Sequence, residues 1–543
     1  MPQPGDLQLH WADVLVVVGY LATLILVGVY HSRCQKDLQD FFLAGQEMRG
    51  LVVGLSMMAA MNSGLDYLMQ PGAMIKFGVF TMVGSLTWFL LIPWACCVTM
   101  PMYRRLGVIS AYEYLERRFD VRVRALTAAV FILWRTGWMA TALYVPSLAI
   151  SVATSGRIPV TATVITLGIV ITTYTMLGGV RAVIWNDVIQ FWIMFTGVAV
   201  TVWMCVANVE GGVAGILSQF SQVGEQVQIR PPDGAPSGPL SYFYIPLTLV
   251  GFFISVLVSR LANYTADQVL VQRYQTSRSI RDARRGFFIL AITDSVWMIS
   301  LSFVGLALFA YFHQHMGGLP EWASDKPDQL FPYFITCVFP AGLTGLVIAA
   351  ILAASISSID SAINSITSVA MVDFVERFWV RIDPEVPLEP EQGRKCVHTS
   401  RLVTVTVAIV GVGLSMNVAK LGSLLEISNK LVFSFTGPML GIYLLGMFTK
   451  RTTASGALIG GMIGTLVTLF VAFQPQIYEF LNHNFATEFN TLVVISFIWP
   501  CTFGLVATLV SSLLVSLFTR DERPDAKNWT WSAIIRNSSD TNT

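Results

Sequence analysis

The chain has 543 residues, 54% of them apolar and only 12% charged, with a formal net charge of +1. Average soluble domains carry about 25% charged residues, so this composition excludes an ordinary cytosolic protein and points to a polytopic membrane protein. The small net charge, without a basic face interleaved with aromatics, gives no footprint for nucleic acid, and the seven cysteines, of which Cys96 and Cys97 are adjacent, show neither metal-type spacing nor a disulfide framework.

Runs of about 20 mostly apolar residues, the length that crosses roughly 30 Å of hydrocarbon, recur from Ala12 to Phe518. Thirteen spans are predicted, over residues 12–30, 51–70, 79–101, 126–152, 159–176, 182–207, 242–264, 287–311, 343–374, 402–417, 424–448, 454–473 and 491–518. The first is not expected to be a cleaved signal peptide, because no Lys or Arg precedes it and its 19 residues exceed a typical signal core. With the N-terminus outside, 26 of the 34 basic residues fall in cytoplasmic segments and five in external loops; Arg135, Arg260 and Lys430 lie within spans. Arg104, Arg105, Arg117, Arg118, Arg122 and Arg124 crowd one inner loop, and Arg273, Arg278, Arg281, Arg284 and Arg285 another. This bias predicts a multi-pass protein of the plasma (cell inner) membrane with a cytoplasmic C-terminus.

Taken in chain order, the second span is the first to look interrupted. It reads VVGLSMMAAMNSGLDYLMQPGAM, with Asn62, Ser63, Gly64 and Asp66 at its centre. Small and polar residues there loosen the helical ladder and free carbonyls for a cation or a solute charge. The fourth span carries Arg135, a fixed cation deep in hydrocarbon that needs an anionic partner. Three readings stay open: a solute carboxylate held bidentately, an internal pair with Asp66 or Asp267, or an arginine that snorkels away; a cavity lined by both Arg135 and Asp66 would also fit a zwitterionic, amino-acid-like solute. The seventh span is interrupted again, by Asn263, Thr265, Asp267 and Gln268 in SRLANYTADQVLVQR. Both breaks fall in the first helix of successive five-span blocks, which suggests an inverted repeat.

The ninth span carries the segment from Leu352 to Asp373, LAASISSIDSAINSITSVAMVD, with seven hydroxyls and an internal carboxylate. Such groups in a bilayer face a cavity or an ion path, or they join helices. Ser357, Ser358 and Ser361 lie within about one turn of each other and can point into one small volume. In the eleventh span Gly437 and Pro438 mark a kink, and in the twelfth Gly456, Gly460 and Gly464 at four-residue spacing suit close helix contact.

No loop approaches domain size. His10, His31, His313, His315, His398 and His483 all lie outside the middles of spans, and no HExxH, GxSxG or phosphate loop occurs, so no enzyme is expected. A channel would show a filter loop, and a transporter-shaped sensor a signalling domain after the last span.

Over nearly its whole length the chain resembles the sodium/solute symporter family. The resemblance rests on FFLAGQEMRGLVVGLSMMAA, MLGGVRAVIWNDVIQFW, DQVLVQRYQTSRSIRDARRG and LAASISSIDSAINS. It implies an all-α fold of the LeuT type, with a five-plus-five inverted repeat, one extra helix before it and two after. The corresponding segments are 1–48 for the N-terminal helix and first inner loop, 49–207 and 242–448 for the repeats around the external loop 208–241, 449–518 for the last two helices and 519–543 for the tail. It also implies a sodium site from the carbonyls of Ala59, Asn62 and Ala354 and the hydroxyls of Ser357 and Ser358. Five neutral oxygens suit a monovalent ion that must also leave. A second sodium matches Asp187, Asp360 and Ser361; Asp360 binds that ion or pairs with an arginine such as Arg181, and with a single ion both aspartates would be structural.

Sugar-carrying members of the family use a glutamate on the second core helix and an asparagine before the QxxxQR stretch. Here Val79 to Pro101 contains no Glu, and Asp267 stands at the asparagine position. The run LYVPSLAI from Leu143 instead resembles the branch that carries monocarboxylates, vitamins, iodide and sialic acid. The function implied is sodium-coupled import of a small, carboxylate-bearing solute by a protein acting as a monomer, with no organic cofactor. The alternatives are a sodium/sugar cotransporter and a non-transporting sensor or channel of the same fold. Ser63, Asp66, Tyr67, Gln70, Arg135, Trp138, Phe253, Asp267 and Gln268 are the expected solute contacts.

Overall fold

A computed structural model describes residues 10–31, 42–154, 156–223, 230–323, 329–380, 390–418, 424–485, 489–491, 493–520 and 524–537. Parts of the expected first inner loop, outer loop and tail, and the side chain of Lys430, lie outside the described residues. The protein is an all-helical membrane protein. Ten of its described helices are long and apolar enough to cross a bilayer, and Gly50–Met61, Val160–Met176 and Ser434–Phe448 are shorter apolar helices.

The chain opens with α1 (Trp11–His31). It continues through α2 (Gly50–Met61) and α3 (Gly64–Phe77), which are two halves of one interrupted helix. A 3-10 stretch (Gly78–Thr87) leads into α4 (Trp88–Trp94), a π-turn (Ala95–Thr99) and α5 (Met100–Leu106). The loop helix α6 (Glu113–Arg118) precedes α7 (Val121–Ala153), and α8 (Val160–Asn208) bends where Gly179 takes φ 56°, which separates its two predicted spans. Helices α9 (Leu249–Ala266) and α10 (Gln268–Gln275) form the second interrupted helix. Then come α11 (Ile280–Met316), α12 (Leu343–Val369), α13 (Pro390–Ser415), α14 (Leu424–Phe448), α15 (Ala454–Ala472) and α16 (Pro500–Phe518).

The hydroxyl-rich α12 is the axis of the bundle, with every residue from Val347 to Val369 buried, and it packs on α1, α7 and α8. Polar side chains are tolerated at such depth because they bond to one another or to backbone rather than to lipid. The N-terminal end of this axis is capped from another helix. Asp13 of α1 accepts the N–H groups of Gly342 and Gly345, both at 2.7 Å, and its carboxylate is all but buried.

At the opposite end Glu116 of α6 lies between two arginines, 2.8 Å from Arg124 and 2.7 Å from Arg377, while Arg124 also pairs with Asp373 at 2.6 Å. Lipid tails are as apolar as leucine, so peripheral helices adhere by close approach of small residues. A Cβ added at Gly456, Gly460 or Gly464 of α15 would lie within 2.0 Å of a hydroxyl of α16. The kink expected at Gly437–Pro438 is also a tight contact: a Cβ on Gly437 would stand 1.9 Å from the carbonyl oxygen of Cys501.

Candidate functional site

The α2–α3 helix leaves helical geometry at Asn62 (φ −98°, ψ 126°) and Ser63 (φ −110°, ψ 168°). The Asn62 N–H still reaches Met58, but the Ser63 N–H turns to the Asp66 carboxylate at 2.6 Å, so the Ala59 carbonyl loses its ladder partner. Ser63 and Asp66 thus form a capping box that starts the second half-helix. Into the break comes α12. Ser357 Oγ lies 2.7 Å from the Ala59 oxygen and 2.9 Å from that of Ala354. Ser358 Oγ lies 3.2 Å from the Ala60 oxygen and 3.3 Å from those of Asn62 and Ala354. The approach requires Gly64, where a Cβ would sit 2.2 Å from Ser355 Oγ. The five oxygens named for a cation therefore converge, with the Ala60 carbonyl beside them. They are hard, neutral and mutually close, a donor set suited to a monovalent cation.

One turn further along α12, Asp187, Asp360 and Ser361 also come together, around an arginine that the sequence reading placed in a loop. Arg273 is buried on α10. It donates to Asp187 at 2.9 Å, to Ser56 at 2.9 Å and to the Val269 carbonyl at 2.8 Å, and it also contacts Ser361. Ser56 donates to the same Asp187 oxygen at 2.6 Å, while the other, Oδ1, is buried with no partner among the described residues. Asp360 accepts from Tyr174 at 2.6 Å and from Ser361 at 3.2 Å. Arg181 pairs instead with Glu47 at 2.6 Å, so it is not the partner of Asp360. With all three groups ionised, two carboxylates face one guanidinium. The two clusters share Ser357, whose carbonyl accepts from Ser361 at 2.5 Å.

The expected solute contacts divide. Arg135 forms an ion pair with Asp267 and stacks over Trp134 at 4.4 Å, which favours the internal-pair reading over both others. Asp267 also caps α10 through the Val269 N–H at 2.9 Å. Gln268 turns away from the break and uses both ends of its amide on the loop before α6, with Ala111 at 2.9 Å and Ile109 at 2.8 Å. Tyr67 is fully buried, donating to Met194 at 2.7 Å and meeting Trp297 edge-on at 4.9 Å, so it is packing. Gln70 donates to Ser302 at 3.0 Å, Trp138 packs half-buried on the core, and Phe253 is half-buried on α9. Asp66 is half-buried at the break and makes no ion pair among the described residues.

A further cluster was not foreseen. Asp294 of α11 accepts from Asn62 Nδ2 at 3.0 Å, Trp88 Nε1 at 3.0 Å and Arg260 Nη2 at 2.9 Å, and Arg260 stacks over the Trp88 ring at 4.9 Å. Its only sequence signal is that Arg260 and Asp294 are ionisable residues inside apolar spans.

The model of the sodium:solute symporter family matches residues 41–464, which include both broken helices and the serine helix. The chain belongs to the sodium:solute symporter family. It is a sodium-coupled solute symporter and not an enzyme. The sodium/sialic acid symporter NanT of Aliivibrio fischeri is 30% identical over 89% of this chain and 91% of its own. The sodium/sialic acid symporter SiaT of Proteus mirabilis is 31% identical over 87% and 92%, and the human sodium-coupled monocarboxylate transporter 1 is 27% identical over 86% and 74%. A solved Na+-coupled sialic acid symporter, in a substrate-bound outward-open state with a novel Na+ site, superposes with a TM-score of 0.78 at 26% identity. That match covers 94% of this symporter and 98% of the other. Mhp1, a nucleobase-cation-symport-1 family transporter, shares the fold with a TM-score of 0.51 at 13% identity, over 90% and 98%.

Proposed function

We propose that this symporter imports a small carboxylate-bearing solute across the plasma membrane, driven by two sodium ions per cycle. Ten long apolar helices and three shorter ones support a thirteen-span arrangement, and the excess of Lys and Arg in alternate loops supports an N-terminus outside. Its repeats span 49–207 and 242–448, followed by two additional helices, and one protomer contains the whole path.

The observation that carries the ion assignment is the meeting of Ser357 and Ser358 with the carbonyls of Ala59 and Asn62 across the first break. A sodium ion there ties α2 to α12, and so biases the bundle toward the arrangement in which the break is ordered. Ion and solute then strengthen each other's binding, by linkage. The second ion is supported by charge: Asp187 and Asp360 exceed Arg273 by one negative charge, and Asp187 Oδ1 has no partner among the described residues. Each sodium moving inward through 100 mV contributes about 2.3 kcal/mol to accumulation. The sugar reading is weakened by the commitment of Asp267 to Arg135.

Uptake of radiolabelled carboxylates into proteoliposomes, with and without an inward sodium gradient, tests the proposal. Accumulation that follows the gradient, with a Hill coefficient above one for sodium, is the expected result, and gradient-independent equilibration would refute it.

A further inference from the structure

We propose that Arg260, rather than Arg135, receives the solute's carboxylate, and that Asp66 answers it with a negative charge, so that the solute is a zwitterion of the amino-acid class. This rests on the symport reading above.

Arg135 has little left to offer. Its guanidinium is paired with Asp267 and stacked on Trp134, its Nε is buried with no partner among the described residues, and a carboxylate arriving there would strand Asp267 as an unpaired buried charge. Arg260 is also paired and stacked, but its partner Asp294 keeps Asn62 and Trp88 as donors, so a carboxylate arriving there does not strand it. The Arg260 side chain keeps 14% of its surface open, and of the five N–H donors on a guanidinium one goes to Asp294 at 2.9 Å and one to Thr87 at a long 3.4 Å. The Trp88 ring beneath it holds the guanidinium plane, which leaves an oriented edge for bidentate contact with a carboxylate.

The charges nearby select the rest of the solute. Asp294 and Arg260 cancel. Asp66 lies one turn after Asn62, whose side chain holds Asp294, and makes no ion pair among the described residues. One sodium on the neutral oxygens of the break restores neutrality. A zwitterion preserves that balance, whereas a simple carboxylate or a simple amine leaves a net charge in a low-dielectric site. Asn62 joins the two events physically, because its side chain holds Asp294 while its carbonyl faces Ser358. Solute on Arg260 and sodium at the break therefore both act on one residue.

The test uses purified full-length protein in sodium, with thermal stabilisation and then uptake as readouts, and two matched probe sets: alanine, propionate and ethylamine; phenylalanine, phenylpropionate and phenylethylamine. At least one amino acid should stabilise the protein while its carboxylate and amine counterparts do not. Arg260→Gln and Asp66→Asn should each raise the KM for that amino acid about tenfold or more, and Arg260→Lys should recover part of the loss. A carboxylate that protects as well as its amino acid, no response to either amino acid, or an unchanged KM in folded Arg260→Gln overturns the assignment. Sodium alone should stabilise the wild type, with Ser358→Ala needing severalfold more sodium for the same shift; if sodium stabilises neither, the symport reading beneath this one falls instead.

Discussion

Asp13 and Gly345 meet at 2.7 Å across 332 positions of sequence, carboxylate to backbone N–H, and through this contact α1 caps the helix that carries the serines. The oxygen sits on the positive end of α12, and at Gly345 a Cβ would lie 2.4 Å from the Asp13 backbone, so the approach depends on glycine. An anionic N-cap contributes about 1–2 kcal/mol. Asp13→Ala should lower the melting temperature of the detergent-solubilised protein and weaken apparent sodium affinity, with Asp13→Asn intermediate. An unchanged melting temperature would show that the contact adds nothing to stability.

Ser358→Ala removes one hydroxyl from the cluster at the break and leaves the fold intact. A neutral ligand to a monovalent ion contributes on the order of 1–2 kcal/mol, so the sodium concentration for half-maximal uptake should rise severalfold. Uptake measured against sodium at saturating solute checks this.

The Arg135–Asp267 pair predicts strong non-additivity. Arg135→Gln leaves Asp267 charged in a buried position and should destabilise by roughly 3–5 kcal/mol, while Arg135→Gln with Asp267→Asn should recover much of that. Additive losses in a thermal double-mutant cycle would contradict the pairing.

Glu116 gives the pH dependence. Burial works against its charged form, but hydrogen bonds from Arg377 and Arg124 together outweigh it and hold the carboxyl below its ordinary value of 4.5. A depressed carboxylate contributes stability that is fully present above the unfolded value and is lost as pH falls through the folded one. The gap in melting temperature between wild type and Glu116→Gln should stay constant from neutral pH down to about 5 and close below it. A gap that widens on acidification would reverse the sign.

The parts of the site that the sequence made legible are those where hydrocarbon tolerates no ambiguity. Hydroxyls at 357 and 358 and an Asn-Ser-Gly run at 62–64 inside an apolar span must serve an ion, a solute or the joining of two helices. Arg273 was misread because a half-helix beyond a break has the composition of a loop. Its burial comes from tertiary packing against α2 and α12, which no local pattern encodes. Arg260 and Asp294 stand 34 residues apart on different helices, and only the fold makes them neighbours. Gln268 misled in the opposite direction: it lies beside a break, yet its amide braces the turn at 109–111.

The seam of Gly456, Gly460 and Gly464 against α16 carries a consequence for how this protein tolerates change. Ser512 Oγ would lie 1.9 Å from a methyl on Gly460, and Cys501 leaves no more room beside Gly437. A scan of random substitutions should therefore find a forbidden stripe on the outer rim, far from any ion, where alanine is as damaging as a charge and the only acceptable side chain is none.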